Sequence, residues 1–114
     1  MSPGARGRGR IVPAVTVVWT DRALADLERI GDFIAADNPG AAERWMDQLM
    51  GAVGRVANMP LSGRRVPEVG RDDVREVIKG AYRIVYRLRN DRAEVLTVFE
   101  GHRLLPAGID GEDT

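Results

Sequence analysis

The sequence predicts an α+β domain of order β-α-α-β-β-β, with a helical hairpin packed on one face of a small, mainly antiparallel twisted sheet. Three observations predict it. A β-branched run opens the ordered part of the chain. Two long stretches with apolar residues at helical spacing follow. The second half then turns to period-two patterning in three runs separated by short turns. At 114 residues the chain has the length of one domain.

Val15-Thr16-Val17-Val18-Trp19 is β-branched and aromatic, and forms the first strand. Thr20-Asp21 supplies N-cap chemistry, because a side-chain oxygen can accept a bond from an orphan amide of the first turn. Leu24, Leu27, Ile30 and Ile34 recur at helical spacing, with charged residues between them. Asn38-Pro39 ends this helix and begins the next, Asn as cap and Pro at the first helical position. Ala42, Trp45, Leu49, Val53 and Val56 make the second apolar stripe, closed by Asn58-Met59-Pro60. Helices joined by so short a turn pack as an antiparallel hairpin. Gly51 and Gly54 each cost ~1 kcal/mol against Ala in a helix interior, which close approach of a neighbour would justify.

Residues 60–73 form a polar loop with Pro60, Gly63, Pro67 and Gly70. Val74–Lys79, Tyr82–Arg89 and Ala93–Phe99 follow as a meander, turning at Gly80-Ala81 and Asn90-Asp91. In the middle strand Tyr82, Ile84, Tyr86 and Leu88 share the face expected under the helices. Arg83, Val85, Arg87 and Arg89 share the face expected toward solvent or a partner. An odd-length turn after Lys79 sets Arg75 and Lys79 beside Arg83 and Arg87; an even one sets them beside the tyrosines. Grouping Ile78 with the buried set favours the odd turn.

The domain is expected at 13–105, after an Arg/Gly-punctuated disordered leader at 1–12 and before an acidic flexible tail at 106–114. The charges, 17 basic and 17 acidic, cancel only in sum. Residues 20–50 hold seven acids against Arg22, Arg29 and Arg44; residues 55–103 hold eleven bases against seven acids. The hairpin half is therefore acidic and the meander half basic. A neutral total excludes a polybasic or an acidic solvating chain. The absence of cysteine excludes disulfides, thiolate nucleophiles and Cys-ligated zinc. No apolar run reaches the ~18 residues of a membrane span. A soluble cytoplasmic protein is expected. His102 is the single histidine, so a His-pair metal site is impossible, and no phosphate-cradling glycine loop occurs. Neither a metal nor a cofactor is expected. Glu28 and Asp32, one helical turn apart, are a solvated pair rather than an acid–base couple.

An ordered set of motifs carries more. Ala23-x-x-Asp26-Leu27-x-x-Ile30-x-x-Phe33-Ile34 stands on the first helix. Pro60-x-x-Gly63-Arg64 and Val66-Pro67-Glu68 stand in the loop. Val74-Arg75-Glu76-Val77, Tyr82-Arg83-Ile84-Val85-Tyr86-Arg87, and Val95-Leu96-x-Val98 with Gly101-His102-Arg103 complete the meander. Over about residues 14–105 this set resembles toxins of the RelE/ParE superfamily of bacterial type II toxin–antitoxin modules. The resemblance implies a toxin neutralised by a cognate antitoxin, in a toxin–antitoxin hetero-oligomer. RelE-like members are metal-independent, ribosome-dependent mRNA endonucleases, whereas ParE-like members are associated with poisoning of DNA gyrase and would be non-enzymatic.

The RelE pattern is only partly kept. By resemblance Arg83 matches the central-strand phosphate-binding arginine, Arg75 a basic position on the preceding strand, and Arg103 the arginine at the end of the last strand. The second basic position falls on Val77, and the late tyrosine falls near Ile109. Cleavage of RNA needs charge stabilisation and proton transfer. Arg75, Arg83 and Arg103 suit the first, and His102 alone has a suitable pKa for the second. The depleted set and the Pro-Glu and Arg-Glu signatures favour the ParE side. On that side the expected target-binding residues are Arg64, Arg65, Arg75, Lys79, Arg83, Arg87 and Arg103. Glu76, Glu94 and Glu100 are acidic neighbours able to form salt bridges with these arginines.

Overall fold

The computed structural model describes residues 13–109. The expected leader, and residues 110–114 of the expected tail, lie outside the described residues. The elements run β1 (Thr16–Trp19), α1 (Asp21–Asp37), α2 (Pro39–Asn58), β2 (Arg64–Arg65), β3 (Val74–Lys79), β4 (Tyr82–Arg89) and β5 (Arg92–Glu100). The predicted order stands, with one addition: β2, a two-residue strand inside the segment read as a loop. Two paired residues carry no periodicity for a sequence to show.

The caps work as their chemistry predicts. Thr20 Oγ1 accepts from Ala23 N at 3.2 Å and donates to the Val95 carbonyl at 2.7 Å. It starts α1 and ties that start to β5. Asn38 Oδ1 accepts from Ala41 N at 3.1 Å to open α2, while its own backbone N–H donates to Ile34 O at 2.9 Å to close α1. Pro39 sits in the first turn, where its missing N–H costs nothing.

The sheet order is β1-β5-β4-β3-β2. β1 runs parallel to β5 and the other pairs are antiparallel. The helical connection from β1 at one edge to β2 at the other places the hairpin over one face. There Leu27, Ile30, Leu49, Val53 and Val56 meet Ile84, Tyr86, Val95 and Val98. β5 reaches beyond the end of β1, and Asp26 of α1 closes that gap. Its Oδ2 accepts from Val98 N at 3.1 Å and from Thr97 Oγ1 at 2.5 Å. A buried side chain thus replaces the missing neighbouring strand, as a buried amide requires.

Two expectations are corrected. The turn at Gly80-Ala81 has two residues, an even length, so Lys79 pairs with Tyr82, Ile78 with Arg83 and Arg75 with Tyr86. Gly80 takes φ 60°, open to glycine without steric cost, and allows the tight hairpin. Ile78 is consequently 52% exposed rather than buried. The face carrying Arg83 is not open either. Val66, Val74, Val85, Phe99 and Ile109 form a second small core on it, flanked by Val69, Leu96 and Leu105. The loop before β3 and the chain after β5 cover that face. Ile109, expected in the tail, is one of its buried members.

Candidate functional site

The basic residues of the meander are divided by the pleat. With the even turn, Arg75 and Lys79 stand on the hairpin side of the sheet, and Arg83 and Arg87 on the other. Arg75 is spent on local structure. Its guanidinium donates to the Gly63 carbonyl at 2.8 Å and the Asp72 carbonyl at 3.0 Å, and lies 3.3 Å from Asp72 Oδ1. The same corner holds Tyr86, whose hydroxyl donates to Pro60 O at 2.7 Å and accepts from Gly63 N at 3.1 Å. Gly63 is required there, because a Cβ would fall 2.6 Å from the Tyr86 hydroxyl. Lys79 and Arg87 are half-buried.

Arg83 is at the centre of the second face, with its side chain 9% exposed. Nε donates to Glu76 Oε1 at 2.6 Å. Nη1 and Nη2 donate to the two oxygens of Glu68 at 2.9 and 2.8 Å. The guanidinium carbon lies 5.0 Å from the centre of the Phe99 ring, a cation–π contact. Glu76 is fully buried, and its other oxygen accepts from Arg64 Nε at 2.6 Å. The four side chains form a chain of alternating charge, Arg64–Glu76–Arg83–Glu68, of zero net charge. The Arg83 fork holds the Glu68 carboxyl down at about 2, well below the usual carboxylate range. The two carboxylates in turn raise Arg83 further above its ordinary value, with the Glu68 hydrogen bonds contributing most.

The remaining candidates stand at the end of β5. Arg103 Nε donates to Glu100 Oε1 at 3.0 Å, and His102 Nε2 is 4.0 Å from that same oxygen. His102 is 74% exposed. Arg65 donates to the Gly70 carbonyl at 2.7 Å and lies 3.8 Å from Asp72. Arg103 and His102 are brought together on the surface, exposed Arg64 and buried Arg83 are joined through Glu76, and Arg75 is separated from both. The acidic neighbours named from sequence are the partners in two cases, Glu76 for Arg83 and Glu100 for Arg103. Glu68 was missed as a partner, and the only trace of it is its place in Val66-Pro67-Glu68.

A cavity of about 280 Å³ opens between α1 and the sheet end. Ile30, Phe33, Tyr82 and Phe99 line it, with Arg29, Arg103 and the Arg103-paired Glu100 at its rim. Phe33 is 77% exposed. Burial raises the Tyr82 hydroxyl above its ordinary pKa, and Glu100 adds to the effect. The hydroxyl is therefore a neutral hydrogen-bonding group at neutral pH rather than a base. Among the described residues no group of three or more His, Asp or Glu side chains is placed to hold a metal. Among the same residues no helix is long and apolar enough to cross a membrane.

A family model described as the ParE toxin of the type II toxin–antitoxin system, parDE, matches residues 17–105. The protein Y4kP of Sinorhizobium fredii is 40% identical over 91 residues, covering 77% of this chain and 90% of its own length. Toxin RelE2 of Caulobacter vibrioides is 34% identical over 88 residues, covering 77% of this chain and 97% of its own. Among solved structures, a chain of the chromosomal ParDE system of P. aeruginosa aligns with a TM-score of 0.64 at 19% identity, over 76% of this chain and 96% of that one. A chain of the RelBE2 toxin–antitoxin complex of Mycobacterium tuberculosis aligns at 0.52 and 22% identity, over 77% and 92%. At these identities the two structures establish the shared fold.

Proposed function

We propose, because this chain belongs to the ParE toxin family of type II toxin–antitoxin systems, that it arrests growth by a non-enzymatic block of DNA gyrase and is neutralised by a cognate antitoxin. The observation that carries the reading is the state of Arg83. A ribosome-dependent nuclease needs a cationic group free to hold the scissile phosphate. Here the residue in that position has each of its three guanidinium nitrogens hydrogen-bonded to Glu76 or Glu68. Arg75 lies on the opposite face, and His102 stands 74% exposed at the end of β5, apart from Arg83 and Arg75. The surface is better suited to contact than to proton transfer.

The neighbours in complexes support an antitoxin partner. An apolar anchor flanked by carboxylates would complement the Phe33 cavity and its Arg29 and Arg103 rim. Induction without the antitoxin should stop growth, and co-expression of the antitoxin should restore it. Purified protein should inhibit gyrase supercoiling while transcripts remain intact, and His102→Ala should stay toxic. Normal supercoiling at saturating protein would defeat the gyrase reading. Cleaved transcripts lost on His102→Ala would replace it with ribosome-dependent mRNA cleavage. Harmless expression would leave a non-toxic antitoxin-binding module.

A further inference from the structure

Phe33 is a ridge between two concavities of α1. On one side lies the cavity of about 280 Å³ that it shares with Ile30, Tyr82 and Phe99. On the other is an open hollow that it shares with Ile34 and Asp37. Residues four apart on a helix lie on one face, so Arg29, Phe33 and Asp37 form a line along α1, with steps of about 6 Å along its axis. The line reads cation, aromatic, anion, and all of it faces solvent. Arg29 Nη1 donates to Asp26 Oδ1 at 3.0 Å, yet the Arg29 side chain stays 65% exposed. Phe33 and Asp37 are exposed as well.

Such a line complements its own reverse. Two-fold rotation about an axis at Phe33 brings Arg29 of one copy to Asp37 of the other, and Asp37 to Arg29. The two Phe33 rings then meet at the axis, beside the mouths of both cavities. A foreign segment would have to carry the same charges in the opposite order, which a second copy already does. We propose that this face of α1 is a self-association surface, on which two copies of the chain pair their first helices antiparallel about Phe33. One exposed helix face falls short of the ~800 Å² per partner of a standard interface, so the dimer is weak and fills at roughly tens of micromolar and above. A second copy and an antitoxin anchored in the same cavity would exclude one another. The pairing rests on the order of charges along α1, and stands or falls apart from the gyrase and antitoxin readings.

The test is sedimentation equilibrium of the full chain, without antitoxin, from about 5 µM to about 1 mM, a range that spans weak association. Circular dichroism establishes that each variant is folded. Wild type should pass from monomer to dimer across the range. Phe33→Ser and Asp37→Arg alter exposed side chains, and each should raise the dissociation constant about ten-fold or more. Arg29→Glu should do the same. An equimolar mixture of the Arg29→Glu and Asp37→Arg chains should recover the dimer, because the like-charge contacts within each variant become attractions between the two. Wild type that stays monomeric at the highest concentration would overturn the proposal and leave this face to an antitoxin. A dimer unchanged by Phe33→Ser and Asp37→Arg would place the interface elsewhere and overturn it equally. Those two variants decide the matter if Arg29→Glu does not fold. If it folds, a mixture no more associated than either variant alone would refute the antiparallel pairing.

Discussion

Replacing Asp26 separates hydrogen bonding from charge at the join between α1 and β5. One carboxylate oxygen, Oδ2, accepts from both Val98 N and Thr97 Oγ1, and both residues are buried. The other, Oδ1, faces Arg29 at 3.0 Å, an arginine 65% exposed. Asp26→Ala strands two buried donors. At about 1–3 kcal/mol for each unsatisfied group, and with some relaxation of the hydroxyl, the loss should be about 3 kcal/mol. Asp26→Asn can keep its carbonyl oxygen at the Oδ2 position and retain both bonds. It forfeits only the ion pairs to two solvent-exposed arginines, Arg29 at 3.0 Å and Arg22 at 3.9 Å, together worth about 0–1 kcal/mol. Urea unfolding at neutral pH reads the difference. With an m-value of roughly 1.5 kcal/mol/M, the Ala midpoint should fall by about 2 M and the Asn midpoint by less than about 0.7 M. Equal losses in the two variants would show that the charge, not the strand-closing hydrogen bonds, carries the stability. A loss below about 1 kcal/mol in the Ala variant would show that β5 does not need Asp26 to close its edge.

The glycines should divide by position. Gly51→Ala and Gly54→Ala meet no atom within 4 Å and should each stabilise by up to ~1 kcal/mol, whereas Gly63→Ala puts a Cβ 2.7 Å from the Glu76 carbonyl and should destabilise by about 2 kcal/mol or more, all measured by urea midpoint. Tyr86→Phe removes the donor to Pro60 O and the acceptor of Gly63 N, and should cost about 1–3 kcal/mol while leaving far-ultraviolet dichroism unchanged. Glu68 has its folded pKa lowered from 4.5 to about 2, so its stabilisation is present above pH 4.5 and is lost as pH falls toward about 2. Over that window wild type should lose more stability than Glu68→Gln, and parallel pH profiles would contradict the Arg83–Glu68 pairing.

Local signals made much of the fold legible. Thr20, Asn38 and Pro39 act within one helical turn of themselves, so the helix ends could be read without knowing the sheet. Tyr82, Ile84 and Tyr86 needed only period two to be assigned to the hairpin face, and all three pack there. The site was less legible, because Arg83 has the same local sequence whether its face is open or covered. Glu76 was a visible candidate partner seven residues away, whereas Glu68 required the loop to fold back fifteen residues.

The sequence by itself determined the α+β order, the paired amphipathic helices, the meander and the family pattern. Each of these depends on spacing within an element or on the succession of elements along the chain. Tertiary structure alone decided the parity of the Gly80-Ala81 turn, and with it which face receives Arg75 and which receives Arg83. It alone brought residues 66–69 and 105–109 over the second face, because burial there is a property of segments distant in sequence. That covering converted an expected open arginine face into a self-neutralised cluster around buried Arg83 and Glu76, since a guanidinium withdrawn from water must find its counter-charge within the protein.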